Sequence, residues 1–502
     1  MPTQELRPPE AAVSAVPLAV LRMAVAMQVL AEVASWGFRD GVLARFQGME
    51  FRPRYPLLPE LPWLPGLVPY AFFAALLFFA VAVLIGWRTR VTVPILAVLT
   101  AYEFAYDASR YSDARFLTCM LCALTAFLPV QRALSADRDA GRERLTTVSP
   151  RLVRLLQMQT SILLIHSGLG QFRGDWIAGA PLSEWMRLHA PGWVPLGIPG
   201  STVAAASAGT DLFFGAAFWF APLRPFLLPP FLVLQTLDLL VWHVGSAPWL
   251  LAALSLSFAP EWVWQRAEKL RDYALIVPGS SLARLLYCHL GERIDRIVRW
   301  FDDAPLGARR PAPVDLPAPP ARTGREAGSI AAAVWIAMQV LFPLRIWLHL
   351  EPPEWTGFGR DFSWRGQRHA LDAELELSYI QPSRELEWPL DPLDPFPVPL
   401  AVFLTAEERS AGRLGEGTLR DLAEATADTL PARIEGSGLT VERANELLRA
   451  YEATTRLRLT PEQFAAISVR PRLLQQYALH AAQVLERLLG EPVEVRCDLQ
   501  WS

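Results

Sequence analysis

The sequence predicts a mainly α protein: a polytopic membrane helix bundle of about nine spans, followed by a small C-terminal α+β region outside the membrane. Three observations lead there. Of 502 residues, 52% are hydrophobic and only 19% charged, where a soluble domain carries about a quarter charged. Apolar stretches of spanning length recur through the first 349 residues. Arginine concentrates in alternate connections between them.

A spanning helix needs about 20 mostly apolar residues. Nine stretches qualify in order: Pro17 to Trp36, Gly66 to Trp87, Val91 to Asp107, Ala114 to Val130, Leu152 to Gly170, Thr202 to Ala221, Phe226 to His243, Ala247 to Phe258 and Gly328 to His349. The eighth is the shortest, yet its start has helix grammar. Ser246 can cap, and Pro248 falls in the first turn, where a missing N–H costs nothing.

Cytoplasmic loops are enriched in Arg and Lys. The second connection carries Arg88 and Arg90; the fourth Arg132, Arg138, Arg142, Arg144 and Arg151; the sixth Arg224; and the eighth, Pro260 to Ala327, ten Arg and Lys269. These even-numbered connections read as cytoplasmic, which predicts a multi-pass cell-membrane protein with its N-terminus inside and C-terminus outside. The first loop runs against the pattern with Arg39, Arg45, Arg52 and Arg54, partly offset by Asp40, Glu50 and Glu60. Met1 to Val16 is polar and proline-bearing, unlike a cleavable signal peptide. The Pro-, Ala- and Arg-rich run from Pro305 to Arg325 reads as a flexible linker. The predicted organisation is a bundle over 1–349, with a cytoplasmic linker at 260–327, and an extracytoplasmic region over 350–502.

Beyond the ninth span the periodicity changes. Asp372 to Ile380 alternates, with Ala373, Leu375, Leu377 and Tyr379 on one face, and Val493 to Trp501 alternates through Val495, Cys497 and Leu499. These are half-buried strands able to pair. Between them, Thr405 with Glu408 and Thr460 with Pro461 and Gln463 spell capping boxes.

Polar residues inside apolar segments are costly and mark function or a buried pair. Glu103, Asp107, His166, Asp238, His243, Arg345 and His349 all fall toward the predicted outer side, with Gln171, Arg173, Asp175 and Trp176 just beyond the fifth span. One reading is an outward-facing cavity where His166, Asp238 or His243 handles protons or a quinone-like ligand; the other is mutual pairing and snorkelling. Asp211, mid-span in the sixth helix, is either a neutral hydrogen-bonded carboxyl or part of a proton relay. Its small neighbours Ser207, Gly209 and Thr210 suit close helix packing. Cys119 and Cys122 form a C-x-x-C inside a span. There, small apolar side chains are the commoner role, and apolar burial quenches redox chemistry.

Several function classes are disfavoured. A net charge of −3 implies no basic surface for nucleic acid. Seven histidines have no metal-ligand spacing, and neither a phosphate-cradling glycine loop nor G-x-S-x-G occurs. The four cysteines are too scattered for a disulfide framework. Of the 47 basic residues one is lysine, Lys269, and arginine cannot serve as a titrating base.

Arg54-Tyr55-Pro56-Leu57-Leu58; Gly174-Asp175-Trp176-Ile177-Ala178-Gly179; Ser255 to Trp262; Gln339 to Arg345, with Trp355-Thr356 and Phe362-Ser363-Trp364-Arg365; and Leu473 to Ala478, with Val493-Glu494-Val495, occur in this order. Together they resemble the vitamin K-dependent gamma-glutamyl carboxylase family and its bacterial relatives, the horizontally transferred transmembrane (HTTM) domain proteins, across roughly 17–385 and 470–502. The resemblance implies a bundle that handles a quinone of the vitamin K type and a secreted peptide or small protein. It also implies a lysine base a few residues before the Asp-Trp, where this chain has Gly170 and Gln171. A family histidine falls at Ala114 and a family lysine at Ala108. A glutamine amide cannot take a proton from a hydroquinone, and Lys269 is predicted on the opposite side of the membrane. Two expectations follow. One is a non-carboxylating membrane protein whose outward cavity binds a quinone, lipid or hydrophobic peptide. The other is an enzyme with quinone-linked oxidative or carboxylase-like chemistry and a base other than lysine. The candidate site residues are His166, Gln171, Asp175, Asp238 and His243, with no metal.

Overall fold

The computed structural model describes residues 12–42, 46, 51–55, 58, 61–62, 64–139, 142–143, 145–172, 177–179, 183, 199–241, 247–267, 323–344, 373–381, 386–393, 440–468 and 470–501. Each of the nine apolar stretches holds a helix: α1 Val16–Trp36, α2 Val68–Ile85, α3 Thr89–Tyr106, α4 Asp113–Phe127, α5 Pro150–Gln171, α6 Gly200–Ala217, α7 Arg224–Val241, α8 Ala247–Ser255 and α9 Thr323–Leu344. Among the described residues, three stretches are both long and apolar enough to cross a membrane, Val16–Trp36, Val68–Ile85 and Ala221–Leu240. They differ in burial. α1 is mostly enclosed, whereas α2 and α7 turn Phe78, Val81, Ile85, Phe226 and Val233 outward, an apolar exterior that suits lipid rather than water.

The chain enters α1 at what we term the proximal end and leaves it at the distal end. Local signals start the helices: Pro17 stands in the first turn of α1, Ser112 caps α4 through Arg115 N at 3.2 Å, and Ser149 caps α5 ahead of Pro150. At the proximal end, β1 (Val13–Ser14) pairs antiparallel with β2 (Thr147–Val148). The start of α3 is capped from 49 residues away. Asp137 Oδ1 accepts from Arg88 N at 2.8 Å, and Oδ2 accepts from Thr89 N and Thr89 Oγ1, both at 2.9 Å. Arg22, fully buried in α1, donates to the carbonyls of Val130 at 3.0 Å and Leu134 at 2.6 Å. Gly86 makes this possible. Its φ of +77° ends α2 in the left-handed region, and a Cβ there would stand 2.6 Å from Arg22 Nη1.

The distal end carries a second core. Phe51, Tyr55, Ala108 and Tyr111 from the early connections pack with Leu377, Tyr379, Leu457, Ile467, Tyr477 and Leu485 from the C-terminal part of the chain. That part comprises β3 (Ala373–Gln381), β4 (Leu386–Pro389), α10 (Val441–Thr455), α11 (Pro461–Ser468), α12 (Pro471–Leu489) and β5 (Glu494–Trp501), with strand order β4-β3-β5. The two strands read from alternation are antiparallel neighbours, with Leu375 opposite Leu499, Leu377 opposite Cys497 and Tyr379 opposite Val495. The capping box at α11 forms as spelled: Gln463 N donates to Thr460 Oγ1 at 3.0 Å and Thr460 N to Gln463 Oε1 at 3.3 Å. The other box, Thr405 with Glu408, lies outside the described residues, as do Lys269, Cys288, Arg345, His349 and the linker from Pro305 to Arg325.

Two of the four out-of-pattern arginines of the first loop have structural tasks. Arg52 places its guanidinium 4.3 Å from the centre of the Tyr106 ring and donates to Leu61 O at 3.3 Å. Arg54 exchanges two hydrogen bonds with Gln476, N to Oε1 at 2.8 Å and Nε2 to O at 3.1 Å. The side chains of Arg39 and Arg45 lie outside the described set.

Candidate functional site at the distal half of the bundle

Helix α5 is the polar member of the bundle, with Gln157, Gln159, Thr160, Ser161, His166 and Gln171 all buried. In an apolar surround each such group needs a partner. At mid-helix, Gln159 Oε1 accepts from Trp335 Nε1 at 2.8 Å, and its Nε2 lies 3.4 Å from Gln339 Oε1. Gln339 Nε2 in turn reaches Met120 Sδ at 2.9 Å. This belt joins α4, α5 and α9, and Gln339 opens one of the stretches that carry the resemblance, Gln339 to Arg345.

Nearer the distal end, Ser167 and Gln171 occupy one face of α5, four residues apart. Both point at Asp211 of α6. Ser167 Oγ donates to Asp211 Oδ2 at 2.7 Å and Gln171 Nε2 to the same oxygen at 3.0 Å. The two helices can come this close because Gly168 faces α6, where a Cβ would meet Ala208 O at 2.9 Å. Ala204 and Ala208 complete the contact. Gly209, a small residue expected to help, has nothing within 4 Å of its Cβ direction. With Nε2 committed to the carboxylate, Gln171 Oε1 is left buried and without a partner.

A second polar pocket lies between α1, α3 and α4. Glu32, Glu103, Arg115, Thr118 and Cys119 line a cavity of about 20 Å³ walled by Val29, Trp36 and Leu76, room for about one water molecule. Glu32 Oε1 accepts from Gln28 Nε2 at 2.6 Å. Sequence reading singled out Glu103 but missed Glu32 and Arg115. The available signal was Gln28 and Glu32 one turn apart in an apolar helix. Ala114, where the resemblance places a histidine, contributes its carbonyl to Thr118 Oγ1 at 2.9 Å. Asp107 is structural: it caps the turn Ala108–Arg110 through Ser109 N at 2.9 Å and Ser109 Oγ at 2.6 Å.

The C-terminal part closes over this end. Arg470, buried, donates Nη1 to Ala108 O at 3.0 Å and Nη2 to Tyr111 O at 3.1 Å. Gln463 Nε2 donates to Phe51 O at 3.1 Å. At Ala108, where the resemblance places a lysine, the carbonyl is thus held by a guanidinium from the far end of the chain, that of Arg470.

Of the sequence-predicted site residues, Gln171 is thus joined to Asp211. His166 is buried on the same helix and makes no hydrogen bond to a described residue. Asp238 is half-buried on α7, while Asp175 and His243 lie outside the described residues. Cys119 and Cys122 are free thiols on α4. Among the described residues no cluster of three or more His, Cys, Asp or Glu could hold a metal ion. Within the cluster of Ser167, Gln171 and Asp211, the carboxylate can accept a proton and the glutamine beside it cannot.

An apolar-skinned helical bundle with most of its described polar groups paired inside defines an integral membrane protein. The HTTM domain family model matches residues 11–262, and the chain belongs to that family. No curated protein and no solved structure matches it.

Proposed function

We propose that this HTTM membrane protein is a non-carboxylating member that binds a hydrophobic ligand, a quinone, lipid or hydrophobic peptide, at the distal end of the bundle. The observation that carries the reading is Gln171. It stands where the carboxylase resemblance has its lysine base, it is buried, and its amide is spent on Asp211. The orphaned Gln171 Oε1 is an acceptor for a ligand hydroxyl or amide. A vitamin K-type hydroquinone would supply an oxidisable O–H; this chain's residues would hold that group, with Asp211 and Ser167 fixing the amide.

The distal end is, on this proposal, the outer face of a nine-crossing protein in the cell membrane with a cytoplasmic N-terminus. Arginine enrichment of the proximal connections supports it. So does the clustering of Phe51, Ala108 and the C-terminal sheet at one end, as an odd number of crossings requires. A secreted peptide or small protein is the partner that such an outer face would meet.

A second reading keeps catalysis with Asp211 as base, because two donors converge on one of its oxygens. The test is to purify the protein in detergent, supply reduced menaquinone or vitamin K with oxygen, and assay for epoxide. No epoxide together with co-purifying quinone or peptide supports the binding reading. Epoxide formation abolished by Asp211→Asn overturns it in favour of the second.

A further inference from the structure

At the opposite, proximal end, four segments meet around a cavity of about 420 Å³: the approach to α1, the first turns of α5, the turn between α6 and α7, and the chain that leaves α8. Its size falls within the range of small-molecule sites. Among the described residues that line it, Arg154 and Arg224 stand with one carboxylate, Glu261, whose Oε1 accepts from Ser14 N at 3.0 Å. The N-terminal ends of α1 and α5 also begin here, and helix N-termini carry partial positive charge.

Arg224 is placed rather than loose. Arg224 donates Nε to Phe218 O at 2.8 Å, and its guanidinium carbon lies 5.4 Å from the centre of the Phe258 ring. On the inner wall Gln157 donates to Ser257 O at 2.9 Å. Ser257 itself, only 4% exposed, has an Oγ with no partner. A cavity whose lining combines an unmatched hydroxyl with two arginines is suited to an anion with several acceptor oxygens. Beside the cavity the surface becomes apolar, with Phe220 64% and Phe226 76% exposed. A soluble anion gains nothing from those rings, whereas an acyl chain would cover them.

We propose that this cavity binds the phosphate of an anionic glycerophospholipid, with the phosphate between Arg154, Arg224 and Ser257 and the acyl chains along Phe220 and Phe226. Proximal arginines facing a leaflet rich in anionic lipid fit the same assignment. The proposal is independent of the distal site.

The test uses the full chain in neutral detergent, with binding followed by native mass spectrometry and thermal unfolding. Four probes are compared: phosphatidylglycerol, diacylglycerol, glycerol 3-phosphate and inorganic phosphate. Phosphatidylglycerol is expected to stabilise the protein and to bind at least about tenfold more tightly than the other three, a gap of about 1.4 kcal/mol. The Arg154→Gln/Arg224→Gln variant is expected to lose about tenfold in that affinity, and Ser257→Ala severalfold. Should the double variant aggregate, Ser257→Ala decides alone, since it removes one hydroxyl. Equal binding of diacylglycerol, or unchanged lipid affinity in the variants, overturns the proposal. Tight binding of glycerol 3-phosphate or inorganic phosphate alone would replace the lipid by a soluble phosphate.

Discussion

Gln171 and Asp211, 40 positions apart on neighbouring helices, are joined by a 3.0 Å hydrogen bond from Nε2 to Oδ2. The glutamine is therefore a partner to a half-buried carboxyl, which gives it a measurable energetic role. Gln171→Leu strips one donor from Asp211 and is expected to cost about 1–3 kcal/mol. Adding Asp211→Leu should restore part of that loss, because the donor and acceptor are then removed together. Thermal unfolding of the two single variants and the double variant in detergent measures the coupling. Strict additivity would mean that the two side chains do not interact.

Arg470 offers a test of how the C-terminal part is held. Its fork serves Ala108 O and Tyr111 O together. A lysine has no fork, so Arg470→Lys should weaken the attachment nearly as much as Arg470→Ala. Limited proteolysis is expected to release residues beyond about 440 sooner in both variants, at a stability cost on the order of 1.5–3 kcal/mol for hydrogen bonds from a charged donor. Wild-type resistance in Arg470→Lys would show that charge alone suffices.

The second core should also be alkali-sensitive. Burial, more than the nearby Asp391 and Cys497, raises the phenol of Tyr477 above its ordinary value of 10.0, and burial likewise raises that of Tyr379. Tyr477 donates its proton to Leu457 O at 2.8 Å. The folded state therefore favours the neutral phenols. Their contribution is complete below about pH 10, where unfolded tyrosine is also neutral, and is lost as pH rises from there toward the higher folded values. Protease susceptibility of the C-terminal part, followed upward from about pH 9, should increase near pH 10. Tyr477→Phe should blunt that rise while costing some stability at neutral pH.

Topology is open to a direct check. A reporter fused after Ser502 is expected to be active only outside the cytoplasm, and one inserted between Pro305 and Arg325 only inside. Cytoplasmic activity of the Ser502 fusion would mean that one of the nine segments, Ala247 to Phe258 above all, does not cross.

The helices are legible in the sequence because length and apolarity are local properties, as is the alternation that places Leu377 and Tyr379 on one face of β3. The Thr460–Gln463 capping box is legible for the same reason, since its members are three residues apart. Arg22, Asp137 and Arg470 escape such reading. Each satisfies backbone groups 48 to 362 positions away, and nothing beside them in the chain encodes the partner. The distal site lies between these extremes. Gln171 and Asp211 each attract attention, one as a missing base and the other as a deep carboxyl, but only the close packing of α5 on α6 at Gly168 brings them into contact.

The attachment of Arg470 to Ala108 also sets an order of events during synthesis. Phe51, Tyr55 and Tyr111 are in place several hundred residues before the ribosome reaches the segment that covers them. Throughout that interval the distal connections lack most of their second core, and pairing over such a separation is slow. A chain cut short anywhere before α11 would thus present those aromatic side chains uncovered at the membrane surface, the kind of defect by which quality-control proteases select their targets.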